Sequence, residues 1–227
     1  NVSIEVKKQA GKRDVFAVVK ANGYGHGAVP AAKAALVGGA SGFCVATLDE
    51  GIALRESGIT APIIVLGIVE VAWLPLILEY HLAVPVATLS WLEEAALYMA
   101  TQALTGQLLL HLTVDTGMGR IGFRDEAEIL VAIEKIKENV NWVFEGIFTH
   151  FATADEADQT YWHKQNQRFK KVVASLPEKP RYIHASNSAT ALWQEDCGNL
   201  VRLGIAMYGQ NPSGGQLEAP YLLRPAM

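Results

Sequence analysis

The chain has 227 residues, half of them hydrophobic, with 19 Lys and Arg against 23 Asp and Glu for a formal charge of −4. That length suits one large α/β barrel folded as a single domain. The mild acidity, with both signs interspersed, gives an ordinary solvated surface and excludes the basic footprint of a nucleic-acid binder.

In chain order, short apolar runs alternate with helical patterns. A strand is expected at 15–20 (VFAVVK), then a Gly-rich turn and a helix over 28–37. Strand 42–47, helix 48–57, strand 62–66, helix 69–80 and strand 84–87 follow. A helix over 90–104 takes Ser90 as N-cap, with Glu93 as its capping-box partner. Strand 108–114, helix 125–138, strand 144–149, helix 157–175 and strands 181–185 and 201–206 complete the series. The strand runs are continuously apolar, as in strands buried on both faces. Eight of them alternating with helices predict a (β/α)8 barrel. A doubly wound open sheet is the alternative, but its GxGxxG phosphate loop is absent; GYGHGA comes nearest.

The apolar runs APIIVLGIV and VAWLPLILEY are too short to span a bilayer and are cut by Glu70 and Glu79, so no membrane span or signal peptide is expected. Cys44 and Cys197 lie outside any CxxC and read as free thiols of a reducing compartment. The chain starts with Asn and ends in YLLRPAM, which resembles the opening of another strand; both ends suggest a piece of a longer protein.

In a parallel barrel the chemistry sits at the carboxyl ends of the strands. Lys20 stands there after the first strand, followed by Gly23, Gly25 and Gly27, which allow close approach of backbone to a ligand. Leu66 and Gly67 end the third strand, Asp115 to Arg120 (DTGMGR) follow the fifth, and His150 follows the sixth. Asn187 and Ser188 follow the seventh, while Arg202, Gly204 and Ile205 mark the eighth. A lysine at a strand end can act as an amine nucleophile. SNSAT and RLGIA, after the last two strands, lie where many barrels hold a phosphate. Lysine plus phosphate cradle suits pyridoxal phosphate (PLP). DTG alone also resembles an aspartic-protease triplet, but a second copy and an all-β context are lacking. His150 has no metal-ligand spacing with other His or Cys residues, and no metal site is expected.

Together VVKANGYGHG, VDTGMGRIGF, GIFTHFATAD, SNSAT and VRLGIAMYG, in this order, resemble the alanine racemase family from about residue 12 onward. The resemblance implies a PLP-binding barrel over 1–212, with 213–227 as linker and start of a C-terminal β-domain that is absent here. It implies a cytoplasmic homodimer that interconverts L- and D-alanine, supplying D-alanine for peptidoglycan. Lys20 would be the Schiff-base lysine and the acid/base on one face of Cα. Tyr24, Ser188, Gly204 and Ile205 would hold the phosphate, with Asn187 beside them, and Leu66 would line the ring. Arg202 would face the pyridine nitrogen, supported by His150. Arg120 would lie near the phenolic oxygen and the substrate carboxylate.

Two departures stand out. The family often has, at the position of Thr113, a lysine whose carbamate pairs with the arginine matching Arg120; threonine cannot form it, so chloride or another small anion is expected there. The opposite-face base is a tyrosine of the second domain, acting from the partner subunit, and no tyrosine here sits in a matching block. This chain alone is therefore expected to racemise weakly or not at all. A serine-preferring racemase and a single-domain PLP carrier are the alternatives; a related decarboxylase would place an acid where Arg202 stands.

Overall fold

The computed structural model describes residues 1–9 and 11–219. Among these residues eight strands run β1 (Asp14–Val18), β2 (Gly42–Val45), β3 (Ile63–Val65), β4 (Val84–Val86), β5 (Leu108–Thr113), β6 (Trp142–Phe148), β7 (Tyr182–His184) and β8 (Leu200–Leu203). Every pairing is parallel, in the orders β3-β2-β1-β8 and β4-β5-β6-β7. Two seams join these halves. At one, the Val65 amide donates to the Ala83 carbonyl and the Ala83 amide to that of Ile63 (2.9 and 3.0 Å). At the other, the Asn199 amide donates to the Ile183 carbonyl (2.8 Å) and the Arg202 amide to that of Ser186 (3.2 Å). The result is the closed (β/α)8 barrel that the alternation predicts.

All eight expected strands are present, within three residues at each end. Side chains alternate across each strand. Val15, Ala17, Phe43, Val45, Ile63, Val65, Leu110, Leu112, Ile183 and Val201 pack outward under the helices. Phe16, Val18, Cys44, Ile64, Tyr182 and Leu200 fill the lumen. Burial on both faces explains the continuous apolar runs.

The helix expected at 90–104 spans Leu89–Thr101, and its N-cap is not Ser90 but Thr88, whose Oγ1 accepts from the Trp91 amide (3.2 Å). Ser90 lies inside the first turn, because the cap falls two residues earlier than expected. A full capping box occurs instead at Thr47 and Glu50, ahead of Leu48–Glu56. The helix expected at 69–80 divides into a 3₁₀ turn, Val71–Trp73, and Leu74–Glu79, with Pro75 in its first turn. Helices Val2–Gln9 and Ser188–Trp193 add to those expected. Of the expected linker 213–227, residues 220–227 lie outside the described residues.

Candidate active site

A cavity of about 580 Å³ opens at the carboxyl ends of the strands. Lys20, Tyr24, Leu66, Arg120, His150, Asn187, Ser188, Arg202, Gly204 and Ile205 all line it. The barrel thus brings every sequence-predicted site residue to one rim.

Lys20 lies two residues beyond β1, at the start of a turn wound in the left-handed sense. Ala21, Asn22 and Tyr24 have φ of 51°, 52° and 50°. For L-residues this conformation costs roughly 1–2 kcal/mol each. Local hydrogen bonds offset that cost. The Gly23 amide donates to the Val19 carbonyl (2.8 Å) and the Gly27 amide to that of Asn22 (2.8 Å). The Asn22 side chain accepts from the Ala28 amide at 3.0 Å. Tyr208 stacks on His26 with ring centroids 4.8 Å apart, lies 5.3 Å from Tyr24, and donates its hydroxyl to the Val18 carbonyl. Burial raises the pKa of both tyrosines, so both remain protonated donors.

Among the lining residues, Arg202 is buried at 4% exposure. Its Nη1 donates to Nδ1 of His184 at 2.6 Å and to the His184 carbonyl at 2.9 Å. Its Nη2 donates to the Thr149 carbonyl at 2.9 Å and reaches Nδ1 of His150 at 3.4 Å. A guanidinium only donates, so His184 must keep Nδ1 unprotonated and carry its proton on Nε2. That Nε2–H donates to Nδ1 of His111 at 2.9 Å, and His111 Nε2–H donates to Glu145 at 3.0 Å. Glu145 reaches His111 because the β5–β6 register shifts there, pairing Leu110 with Phe144 but His111 with Gly146. At Gly146 a Cβ would lie 2.2 Å from the His111 ring. Burial first, then Arg202, pushes the pKa of His184 well below its ordinary value. His150 is lowered to about 3 by burial, then by Arg202, Arg120 and Lys20. Both imidazoles are neutral at pH 7.

Beyond the ends of the same two strands, β7 and β8, the Ser188 Oγ accepts from the amides of Gly204 (2.9 Å) and Ala206 (3.3 Å). With those lone pairs engaged, its hydroxyl hydrogen is left to donate. At Gly204 a Cβ would sit 3.4 Å from both the Ser188 Oγ and the Tyr24 hydroxyl, so glycine keeps this corner open. Asn187 caps Ser188–Trp193, its side chain accepting from the Thr190 amide at 2.9 Å.

Arg120 is exposed, on the loop after β5. Asp115 organises that loop by accepting from the Gly117 and Gly119 amides (3.1 and 2.9 Å) and from Arg124 at 3.0 Å. Burial alone would raise the Asp115 pKa; the two amides and Arg124 outweigh it and hold the carboxylate below its usual range. This places the DTG triplet in a loop-forming role. Thr113 Oγ1 is buried without a hydrogen-bond partner.

Sequence reasoning missed His184, His111, Glu145 and Glu50. His111 and Glu145 gave a signal, each being polar inside an otherwise apolar strand run. Among the described residues, no group of three His, Cys, Asp or Glu side chains is gathered as a metal site, and no helix is long and apolar enough to cross a membrane.

Comparison with known proteins adds to this geometry. Residues 2–212 match the family model for the N-terminal domain of alanine racemase. The alanine racemase of Lactiplantibacillus plantarum is 50% identical over the whole chain, which spans 61% of that relative's length. A crystal structure of alanine racemase from E. faecalis superposes with a TM-score of 0.94 at 53% identity, covering 99% of this chain and 61% of the other. A histidine racemase from Leuconostoc mesenteroides superposes with a TM-score of 0.89 at 32% identity, covering 99% of this chain and 61% of that one.

Proposed function

The chain belongs to the alanine racemase family, matching its N-terminal barrel domain, and from that premise we propose that the whole protein is a PLP-dependent racemase interconverting L- and D-alanine. The single observation that carries the reading is the convergence on one cavity of an amine, an anion cradle and a buried, oriented guanidinium.

The residues fit the cofactor. Ser188, Tyr24 and the backbone at Gly204 and Ile205 would hold its phosphate, in the corner that a Cβ at position 204 would fill. Arg202 would donate to the ring nitrogen and Leu66 would line the ring. Arg120 would meet the phenolic oxygen and the substrate carboxylate. The cavity is large enough for a cofactor with a small amino acid. When bound, PLP supplies an electron sink that acidifies Cα of the substrate.

Lys20 takes up or delivers the Cα proton on one face. Inversion without turning the substrate needs a second base on the other face; here that is proposed to be a tyrosine of the second domain, from the partner subunit of a homodimer. Arg202 keeps its protons, since guanidinium does not act as an acid in proteins, and it limits how much charge the ring draws. Neutral His150 accepts from Arg202 without adding charge to a rim that already carries Lys20, Arg120 and Arg202. A small anion, chloride by charge, is proposed to balance Arg120 near Thr113, whose buried unpartnered hydroxyl supports it; a halide-soaked crystal without density there would remove this element.

The curated relatives at about 50% identity support alanine as substrate. A serine-preferring racemase is the alternative, and the resemblance to a histidine racemase argues that the barrel alone does not select the side chain. A domain boundary at 212, a cytoplasmic location and D-alanine supply to peptidoglycan belong to the same proposal.

The test is to add PLP, reduce with borohydride and map the modified lysine by mass spectrometry. A pyridoxyl group on Lys20 that Lys20→Ala removes is expected, together with alanine racemisation by the whole protein and weak or no turnover by residues 1–227 alone. A label elsewhere overturns the assignment of Lys20.

A further inference from the structure

We infer that Glu50 is a positioning residue for the Lys20 amine, acting through the peptide that joins Lys20 to Ala21. The inference rests on Lys20 being the amine that holds the cofactor.

Glu50 belongs to a capping box, whose usual return bond runs from the glutamate to the amide of the N-cap residue. That bond is the longest that the Glu50 carboxylate makes, at 3.4 Å from the Thr47 amide to Oε2. The same Oε2 accepts from the Ala46 amide at 2.7 Å, and Oε1 accepts from the Ala21 amide at 2.6 Å. The carboxylate therefore bonds most closely to two segments outside its own helix.

Ala21 is the first residue of the left-handed turn, and its amide plane carries the carbonyl of Lys20. The Gly23 amide holds the preceding peptide through the Val19 carbonyl (2.8 Å), so with both planes held ψ of Lys20 and the direction of its Cα–Cβ bond are set. Ala46 lines the cavity, and its carbonyl accepts from the Gly67 amide at 3.1 Å. At Gly67 a Cβ would lie 2.5 Å from that carbonyl oxygen, so the contact admits only glycine. Through Ala46, one carboxylate ties together the ends of the first three strands, where Lys20, Ala46 and Leu66 stand.

The chemistry requires an acid. Two amides from different segments both donate, and only a carboxylate offers two acceptor atoms. In Glu50→Gln one amide would face an NH2 group.

The experiment compares wild type, Glu50→Gln and Thr47→Ala in the whole protein. It reads the rate of borohydride-trapped pyridoxyl incorporation at Lys20, amide exchange at Ala21, and thermal melting. Glu50→Gln is expected to slow Lys20 labelling and to speed Ala21 exchange by about tenfold each, with other lysines unaffected, as for a misplaced reactive group. Thr47→Ala removes the cap but leaves the Glu50 carboxylate, so it should lower the melting temperature while labelling Lys20 at the wild-type rate. Equal labelling of Glu50→Gln and wild type overturns the inference alone. Equal slowing in Thr47→Ala does the same, by reducing Glu50 to a helix cap. Absence of label at Lys20 in the wild type overturns the cofactor reading and the inference with it. If Glu50→Gln does not fold, Glu50→Asp, one methylene too short for both amides, is read by the same criteria.

Discussion

Arg202 and His184 are joined by a 2.6 Å hydrogen bond that sets the direction of every proton below it. The guanidinium has no acceptor, so donation runs one way, from Arg202 through His184 and His111 to Glu145. A positive charge thus lines the cavity, and the Glu145 carboxylate ends the chain of donors that starts from it.

Interrupting this chain at His111 should be costly. His111→Leu leaves the Glu145 carboxylate and the His184 Nε2–H without their partners in a buried setting. A loss of roughly 3 kcal/mol is expected, measured by urea unfolding. A loss under about 1 kcal/mol would mean that water replaces the ring.

Acid should unfold the protein earlier than its carboxylates alone require. The folded state holds His150 at about 3 and His184 well below 6.5. Below pH 6.5 the unfolded chain binds protons that the folded chain refuses, so stability is present above that pH and is lost as pH falls toward 3. Each histidine contributes a slope of up to about 1.4 kcal/mol per pH unit. Urea unfolding at pH 7, 6 and 5 should show this decline, and His150→Asn should make it shallower. Equal slopes in both proteins would contradict the neutral state of His150.

Gly204→Ala tests the corner beside Ser188. The residue has φ of −101° and ψ of −117°, a pair outside the α and β regions open to L-residues, while the added Cβ would meet its neighbours at ordinary contact distance. Backbone strain should lower stability by about 1–3 kcal/mol, read by thermal melting. The methyl would occupy the corner between Ser188 and Tyr24, so PLP affinity, titrated by absorbance, should fall at least about tenfold. Unchanged affinity would place the phosphate elsewhere.

Arg55 offers a control remote from the cavity. Its guanidinium donates to the carbonyls of Tyr80, Ile59, Ala61 and His81 at 2.8, 2.9, 2.6 and 3.0 Å. Arg55→Met strands these acceptors and should cost about 2–4 kcal/mol by urea unfolding, with Lys20 labelling by PLP unchanged in the folded protein. A smaller cost would mean that solvent reaches the carbonyls.

The eight strands, the barrel and the rim that holds Lys20, Arg120, His150, Ser188 and Arg202 are legible in the pattern of residues. Period and composition suffice for this, because strands buried on both faces must be continuously apolar and a parallel barrel brings their ends together. Which polar groups meet is set by the folded arrangement. His111 and His184 are 73 residues apart, and His111 and Glu145 are 34 apart. Their pairing depends on barrel closure and on one register shift, neither of which has a local signature. The turn after Lys20 was equally hidden. Asn22 and the glycines tolerate the left-handed region, but Ala21 and Tyr24 are not residues from which it is inferred, and the run persists because contacts from Glu50, Asn22 and Tyr208 outweigh their local preference.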